Sequence, residues 1–120
     1  MSAANLPWPT DIRIKKASRI LEIDFDNGER YELPAEFLRV ESPSAEVQGH
    51  GAERPAPVAG KREVAIVDAQ AVGNYAVRLI FSDGHSTGLY SFDLLARLGR
   101  EHERLWSEYL SRLAAHGLSR

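Results

Sequence analysis

The stretch that decides the fold is Ile20-Leu-Glu-Ile-Asp-Phe-Asp-Asn-Gly-Glu-Arg-Tyr-Glu-Leu33. Apolar and polar residues alternate in Ile20–Phe25, a pattern typical of a strand with one buried face. Asn27-Gly28 follows, and this dipeptide favours a tight hairpin turn because both residues tolerate a positive φ. The chain then returns as a strand over Arg30–Leu33, so the stretch predicts a β-hairpin.

A second hairpin is predicted further along the chain. Tyr75–Phe81 is the most strand-like run in the sequence, and Asp83-Gly84 leads from it into a strand over Ser86–Tyr90. The segments Leu21–Glu29 and Val77–His85 share a strand, a Phe and an Asn/Asp-Gly turn at matching offsets. Two explanations stay open, convergence of two similar hairpins and a true internal duplication.

The remaining predicted elements flank these hairpins. Strands are expected at Asp11–Lys15 and Val64–Val67, and a single helical turn at Pro34–Arg39. Helical structure begins near Ser91, whose hydroxyl suits an N-cap position. Gly99 is expected to mark a break between a short helix and a longer one. The apolar stripe of these helices is formed by Leu95, Leu98, Leu105, Trp106, Tyr109 and Leu113.

The pattern predicts an α+β fold: a small antiparallel or mixed β-sheet of two hairpins plus further strands, covered by a C-terminal helix. With 120 residues and 43% hydrophobic content, the chain has enough apolar side chains for one core. We expect a flexible lead-in over residues 1–10, one domain over 11–99 and a helical extension over 100–120 that packs on it. Residues 40–61 are rich in Pro and Gly and predict a long loop.

Composition restricts the classes of function. Lys and Arg number 15 against 17 Asp and Glu, so the chain lacks the basic excess of a nucleic-acid-binding protein. It contains no cysteine, which excludes disulfides, thiolate zinc sites and thiol nucleophiles. The N-terminal ten residues do not resemble a secretory signal and no stretch is apolar enough for a membrane span, so we expect a cytoplasmic protein without membrane contact.

Polar residues in the long loop and the second turn are the candidate functional groups. We predict that they contact a ligand or a partner: Arg39, Glu41, Ser42, Ser44, His50, Asp83, His85 and Tyr90. For His85 the competing interpretation is a solvated turn residue. His102 falls on the apolar stripe of the last helix and is predicted to lie at the edge of the core. Ser42 and Ser44 with the loop histidines are the only candidates for a nucleophile and its base, and nothing in the sequence fixes their geometry.

A metal site is the second interpretation of the same residues. His85, His50 and Glu41 offer imidazole and carboxylate ligands of the kind that iron, manganese or zinc accept. With Glu46 these are four residues scattered over loops, and such sets also arise often by chance. No cofactor is expected, with weakly bound iron or zinc as the alternative.

Three stretches carry a resemblance to a known family. The segments Leu38–Gly51, Val72–Arg78 and Asp83–Leu95 resemble the gamma-butyrobetaine hydroxylase-like N-terminal domain family, in its stand-alone bacterial form. The likeness covers roughly Asp11 to Gly99. In carnitine-pathway dioxygenases this domain precedes a separate catalytic domain that holds iron and uses 2-oxoglutarate, and a related copy is attached to iron–sulfur carrier ATPases of plastids.

The resemblance implies a β-rich domain with, in those dioxygenases, a structural zinc held by three cysteines and one histidine. The histidine corresponds to His85. The cysteines fall in the segment after Arg39, where this chain has Ser42, Ser44 and Val47. Hydroxyls and an aliphatic side chain do not replace thiolates, so neither the zinc site nor the hydroxylase activity is expected here.

These observations favour a non-catalytic binding or accessory module. It would present residues Glu41–Gly51 and the His85 turn to a protein partner or to a second copy of itself. The alternative is an iron- or zinc-binding protein linked to iron enzymes or iron–sulfur assembly. An oxidoreductase acting alone is disfavoured, because no two-His-one-carboxylate set has a recognisable spacing.

Overall fold

The structure, a computed structural model, describes residues 8–43, 57–86 and 88–120 and contains two small antiparallel sheets with three helices. The first unit comprises β1 (Pro9–Lys15), β2 (Ile20–Phe25), β3 (Arg30–Pro34) and α1 (Ala35–Val40). The second comprises β4 (Ile66–Val72), β5 (Ala76–Phe81), β6 (Leu89–Ser91) and α2 (Phe92–Arg100), and α3 (His102–Ala115) follows. The predicted α+β class is confirmed, and the strands form two three-stranded sheets.

One hydrophobic core joins both units. The middle strands β2 and β5 supply its centre, where Leu21, Ile23 and Leu79 are completely buried. Phe37 of α1 and Leu95 of α2 are also inaccessible to solvent and belong to the same cluster. The alternating pattern of each middle strand places these apolar residues on one face, and the helices cover it.

The two β-β-β-α units repeat each other in detail. Gly28 and Gly84 both have φ of +92°, a value that favours glycine. In the first turn Phe25 N donates to Glu29 O at 2.8 Å, and in the second Phe81 N donates to His85 O at 2.9 Å. The pairing of β1 with β2 and that of β4 with β5 each contain an irregularity near their start. The repeat spans whole units, which favours internal duplication over convergence of two hairpins.

Contacts between the units are also reciprocal. A Cβ atom at Gly99, in the second unit, would collide with the ring of Tyr31 in the first. A Cβ atom at Gly88 would collide with Ser42 Oγ. Tyr31 and Gly88 are equivalent by strand register, and Ser42 and Gly99 lie at equal distances after the third strand of their units. The Tyr31–Gly99 and Ser42–Gly88 contacts therefore join equivalent positions, with the two units exchanged.

Several predicted boundaries differ from the structure. The strand expected at Asp11–Lys15 begins at Pro9, within the expected lead-in, and the strand expected at Ser86–Tyr90 runs over Leu89–Ser91. The strand expected at Val64–Val67 runs over Ile66–Val72, because the small and polar residues of Asp68–Val72 hid the alternating pattern. The helical turn lies at Ala35–Val40, after Pro34. Gly99 lies inside α2 and the break between the helices follows it, so this glycine permits a close contact instead of ending a helix.

Helix α3 packs on the first unit. Its Trp106 meets the ring of Phe37 edge-on at 6.3 Å, and Tyr109 and Leu113 form a second buried cluster with Val40. The predicted core-edge position of His102 is confirmed, since its ring lies 4.4 Å from that of Phe37. No helix in the described ranges is long and apolar enough to cross a membrane.

The C-terminal residue is held by a buried carboxylate. Glu36 is 6% exposed, and its Oε1 accepts a hydrogen bond from Arg120 Nη2 at 2.8 Å. The guanidinium also lies 5.3 Å from the centre of the Trp106 ring. The end of the chain therefore closes over α1 and α3 together.

Alanine at Gly99 is expected to destabilise the protein by about 1–3 kcal/mol, the usual cost of overpacking. Helix propensity alone predicts the reverse, a gain of roughly 0.5–1 kcal/mol for Gly→Ala within a helix. The collision with Tyr31 outweighs it, because the Tyr31 hydroxyl is also held by Glu29 at 2.9 Å. Urea unfolding checks the sign, with exposed Arg97→Ala on the same helix as the control; a more stable Gly99→Ala protein would contradict the packing.

Candidate functional site

The candidate site is a corner built around Asp83, where the turn after β5 meets the end of α1. Asp83 Oδ2 accepts hydrogen bonds from Arg39 Nε at 2.9 Å and from Lys61 Nζ at 2.6 Å. Asp83 Oδ1 accepts one from the backbone N–H of His85 at 3.0 Å, a turn contact that aspartate makes readily. We call Arg39, Ser42, Lys61, Asp83 and His85 the Asp83 corner.

A second set of contacts joins the same elements deeper in the fold. Ser42 Oγ lies 3.0 Å from His85 Nε2, and Ser42 is 1% exposed. The hydroxyl of Tyr90, which is completely buried, donates to the carbonyl of Leu38. The end of α1 is therefore held to the β5–β6 turn by the Ser42–His85 pair, and to β6 by the hydrogen bond from the Tyr90 side chain to the backbone of α1.

Burial and charge set the protonation states in the corner. Although partial burial opposes it, the hydrogen bonds from Lys61, His85 N–H and Arg39 hold the pKa of Asp83 well below its usual range. Burial, followed by the charge of Arg39, lowers the pKa of His85. At neutral pH the corner thus contains two cations, one carboxylate and an uncharged imidazole.

The Ser42–His85 pair has the composition of a nucleophile and its base, and its geometry is fixed, contrary to the expectation from sequence. Ser42 is 1% exposed, so its hydroxyl is closed to a substrate in this structure. Gly88 packs so tightly on Ser42 Oγ that any larger residue there would collide with it. This geometry supports a structural role for the pair, positioning α1 against the turn, more than it supports catalysis.

The residues present do not fit the zinc site that the resemblance implies. The position facing His85 is taken by the Ser42 hydroxyl, which bonds the imidazole itself at 3.0 Å. The chain has no thiolate to offer. Among residues 8–43, 57–86 and 88–120, no three His, Asp or Glu side chains are grouped closely enough to hold a metal.

Most of the predicted contact residues meet at this corner. Arg39, Ser42, Asp83, His85 and Tyr90 come together from α1, the second turn and β6. Glu41 lines a neighbouring cleft. Ser44 and His50 lie outside the described residues, so their prediction, including the role of His50 as a metal ligand, is not addressed by the structure.

The sequence did not indicate Lys61, which is separated from Asp83 by a whole hairpin. Its ammonium reaches Asp83 only because β4 and β5 are paired and the turn folds back on the chain before β4. Lys61 stands beside Gly60 in an aperiodic stretch, and nothing there distinguishes it from a solvated lysine. Only the tertiary contact identifies it.

The cleft beside the corner has a volume of about 420 Å³ and opens between the residues that follow α1 and the helices α2 and α3. Its wall combines the apolar side chains of Leu94, Leu98 and Leu105 with charged ones. Of these, Arg97 is 61% exposed and Arg104 55% exposed at the side chain. Its exposed lining is more polar than apolar, unlike the mostly apolar pockets that typically hold small molecules.

The corresponding corner of the first unit is closed by a complete ion pair. Glu29 occupies the turn position that His85 occupies in the second unit. Its Oε2 and Oε1 accept hydrogen bonds from Arg100 Nε at 3.0 Å and Nη2 at 2.9 Å. Hydrogen bonding by Arg100, and then by Asn27, lowers the pKa of Glu29 to about 2. The fold itself does not require a histidine at this turn.

Stability is expected to fall as pH falls from about 7.5 to about 5.5, the range in which free histidine titrates. Burial is the first cause that lowers the pKa of both His85 and His102. The unfolded chain then binds more protons than the folded one, so the stabilisation is complete above the unfolded pKa and is lost below it. Urea midpoints at the two pH values measure the effect. His102→Gln should reduce the difference, and a pH-independent midpoint would contradict the prediction.

Comparison with known proteins gives a family and several similar structures. The family model described as gamma-butyrobetaine hydroxylase-like, N-terminal, matches residues 12–96. Two NMR solution structures have TM-scores of 0.83 at 44% and 48% identity, covering 97% and 100% of this chain and 91% and 89% of theirs. A crystal structure of a protein of unknown function of the DUF971 family, from Acidithiobacillus ferrooxidans, has a TM-score of 0.64 at 41% identity and covers 76% of this chain and 91% of that one. No curated protein matches the chain.

Proposed function

This chain belongs to the gamma-butyrobetaine hydroxylase-like N-terminal domain family, and on that premise we propose that it is a non-catalytic binding module for a protein. The partner is another protein or a second copy of this chain, met in the cytoplasm. The contact surface comprises the Asp83 corner, the adjoining cleft and the chain from Glu41 to Gly51. Nucleic acid is not the partner, because the net charge is -2.

The observation that carries this proposal is the placement of Asp83. Its carboxylate holds Arg39 on one side of the 44–56 segment and Lys61 on the other. The side chains of Arg39, Lys61 and Asp83 are 11%, 23% and 21% exposed, so these pairs are more strongly held than ordinary surface ion pairs. The corner thereby joins residues on the two sides of positions 44–56, and those on the first side, Glu41 to Pro43, line the cleft.

Photo-crosslinking in the source cells tests this proposal. A crosslinking amino acid at Glu41, beside the cleft, should capture one discrete protein, whose mass identifies another protein or a second copy. The matched control carries the same amino acid at Gln70, an exposed residue on β4. Replacement of Glu41–Gly51 by a Gly/Ser linker of equal length, combined with crosslinker at Arg97, should abolish capture from the cleft.

The proposal fails if the Glu41 and Gln70 positions give the same products, or if the linker chain is captured as well as the natural one. Light scattering of the purified chain then separates the two kinds of partner. A dimer that dissociates in the linker chain identifies self-association. If the natural chain and the linker chain are both monomers and the crosslink is present, the partner is a different protein.

Weak binding of iron or zinc by His85, His50 and Glu41 stays a prediction of the alternative function. Calorimetric titration of the tag-free chain with Zn²⁺ and Fe²⁺ checks it, with His85→Ala as the variant and His116→Ala, on the exposed C-terminal turn, as its control. Heat that disappears only in His85→Ala supports metal binding. Equal heats in all three chains would reject it.

A further inference from the structure

The Asp83 corner lacks an acceptor for one of its cationic groups. Arg39 Nη1 is buried and has no hydrogen-bond partner among the described residues. A buried N–H without an acceptor costs about 1–3 kcal/mol, and native proteins rarely leave one unsatisfied without a ligand or a water. The atom therefore marks a place where an oxygen is missing.

Charge in the corner points the same way. Among the described residues, Arg39 and Lys61 form ion pairs with Asp83 alone, and both contact the same oxygen, Oδ2. Two cations thus share one carboxylate. Burial, and then the charge of Arg39, lowers the pKa of His85, and the charge of Asp83 opposes this shift, so these charged groups act on one another within the corner.

The first unit shows what a completed corner contains. There a glutamate, Glu29, stands at the turn and satisfies two nitrogens of Arg100 with its two oxygens. At the corresponding position the second unit has the imidazole of His85, and its arginine comes from α1. The second corner therefore has one carboxylate fewer than its two cations would balance.

We propose that the Asp83 corner binds a carboxylate, received between Arg39 Nη1 and Lys61 Nζ and supplied by an acidic side chain of the partner protein. A planar carboxylate suits a guanidinium edge, and its single charge matches the single excess cation. The source of the carboxylate rests on the proposed function; the site itself does not. The Lys61 side chain is 23% exposed, so the ligand enters from the side of the corner on which Lys61 lies.

Titration of the full-length chain with sodium acetate tests the site, with sodium chloride at equal ionic strength as the control for screening. The NMR signals of the Arg39 Nε–H and the His85 amide should shift and saturate with acetate. Loss of a charge-assisted hydrogen bond should weaken acetate binding about tenfold or more in Arg39→Gln. Lys61→Gln gives the same test if Arg39→Gln does not fold. Arg30→Gln, whose arginine also binds an aspartate through Nε at 2.7 Å but lies 63% exposed, should bind acetate normally.

Shifts that do not saturate, that chloride reproduces, or that survive unchanged in both corner variants would overturn the site. Tighter binding of phosphate than of acetate would overturn the carboxylate assignment. Acetate needs no protein partner, so its failure leaves the crosslinking result intact. Conversely, acetate binding without a crosslink retains the site and rejects the binding-module function.

Discussion

Removing the chain after Gly99 is expected to abolish cooperative unfolding. The deletion exposes Val40 and the ring of Phe37, and it removes Tyr109 and Leu113, which are 2% and 3% exposed. Each such side chain contributes about 1.5–3 kcal/mol. The deletion also removes Arg120, so the buried Glu36 carboxylate loses that cation. Together these losses approach the roughly 5–15 kcal/mol that stabilise a whole domain.

Circular dichroism during thermal and urea unfolding measures the effect. Two full-length variants of α3 provide a matched comparison. Leu113→Ala should cost about 2–5 kcal/mol because the side chain is buried. Leu110→Ala, at a position 38% exposed, should cost far less. A truncated chain that unfolds cooperatively near the midpoint of the full chain would show that residues 11–99 are stable alone.

Asp83→Ala is expected to destabilise the fold by about 2–4 kcal/mol, because it leaves two largely buried cations without their carboxylate. Arg39 and Lys61 would then face each other at the place where both now contact Oδ2. The His85 N–H also loses its acceptor. Urea unfolding gives the free energy directly, and Asp83→Asn, which retains an acceptor oxygen, should recover part of the loss.

Asp24→Ala is the matched control for this change. Asp24 also contacts two arginines, Arg13 and Arg30, but their side chains are 36% and 63% exposed. Solvent-exposed pairs of this kind are worth about 0–1 kcal/mol. Equal losses in Asp83→Ala and Asp24→Ala would show that the Asp83 corner is an ordinary surface ion-pair cluster.

Local sequence patterns predicted the hairpins well. The strand Ile20–Phe25 has the predicted bounds, and Ser91 is the N-cap of α2, with its Oγ accepting from Leu94 N at 3.0 Å. Each of these features depends on residues within a few positions of one another: an alternating strand, an Asn-Gly or Asp-Gly turn, a capping hydroxyl. Asp68–Val72 was missed because the apolar residues that alternate with Asp68 and Gln70 are alanines, which give only a weak strand signal.

Most members of the candidate site were predicted from the sequence, but Lys61 and the arrangement of the site were not. Arg39, Ser42, Asp83 and His85 stood out as polar residues beside a loop and a turn. Their contacts join positions more than forty residues apart, as Ser42 and His85 show, and such contacts leave no periodic signal. The unpartnered Arg39 Nη1 is likewise a property of what surrounds it in space.

By itself the sequence determined the α+β class, the two hairpin turns and the amphipathic C-terminal helices, because backbone preference and apolar periodicity are local. It also determined the absence of thiolate ligands, since that follows from composition alone. The division into two sheets, the reciprocal packing of Gly88 on Ser42 and Gly99 on Tyr31, and the sharing of Asp83 by two cations were decided by the tertiary structure. These features depend on how distant segments approach each other, and that approach is set by burial of the common core.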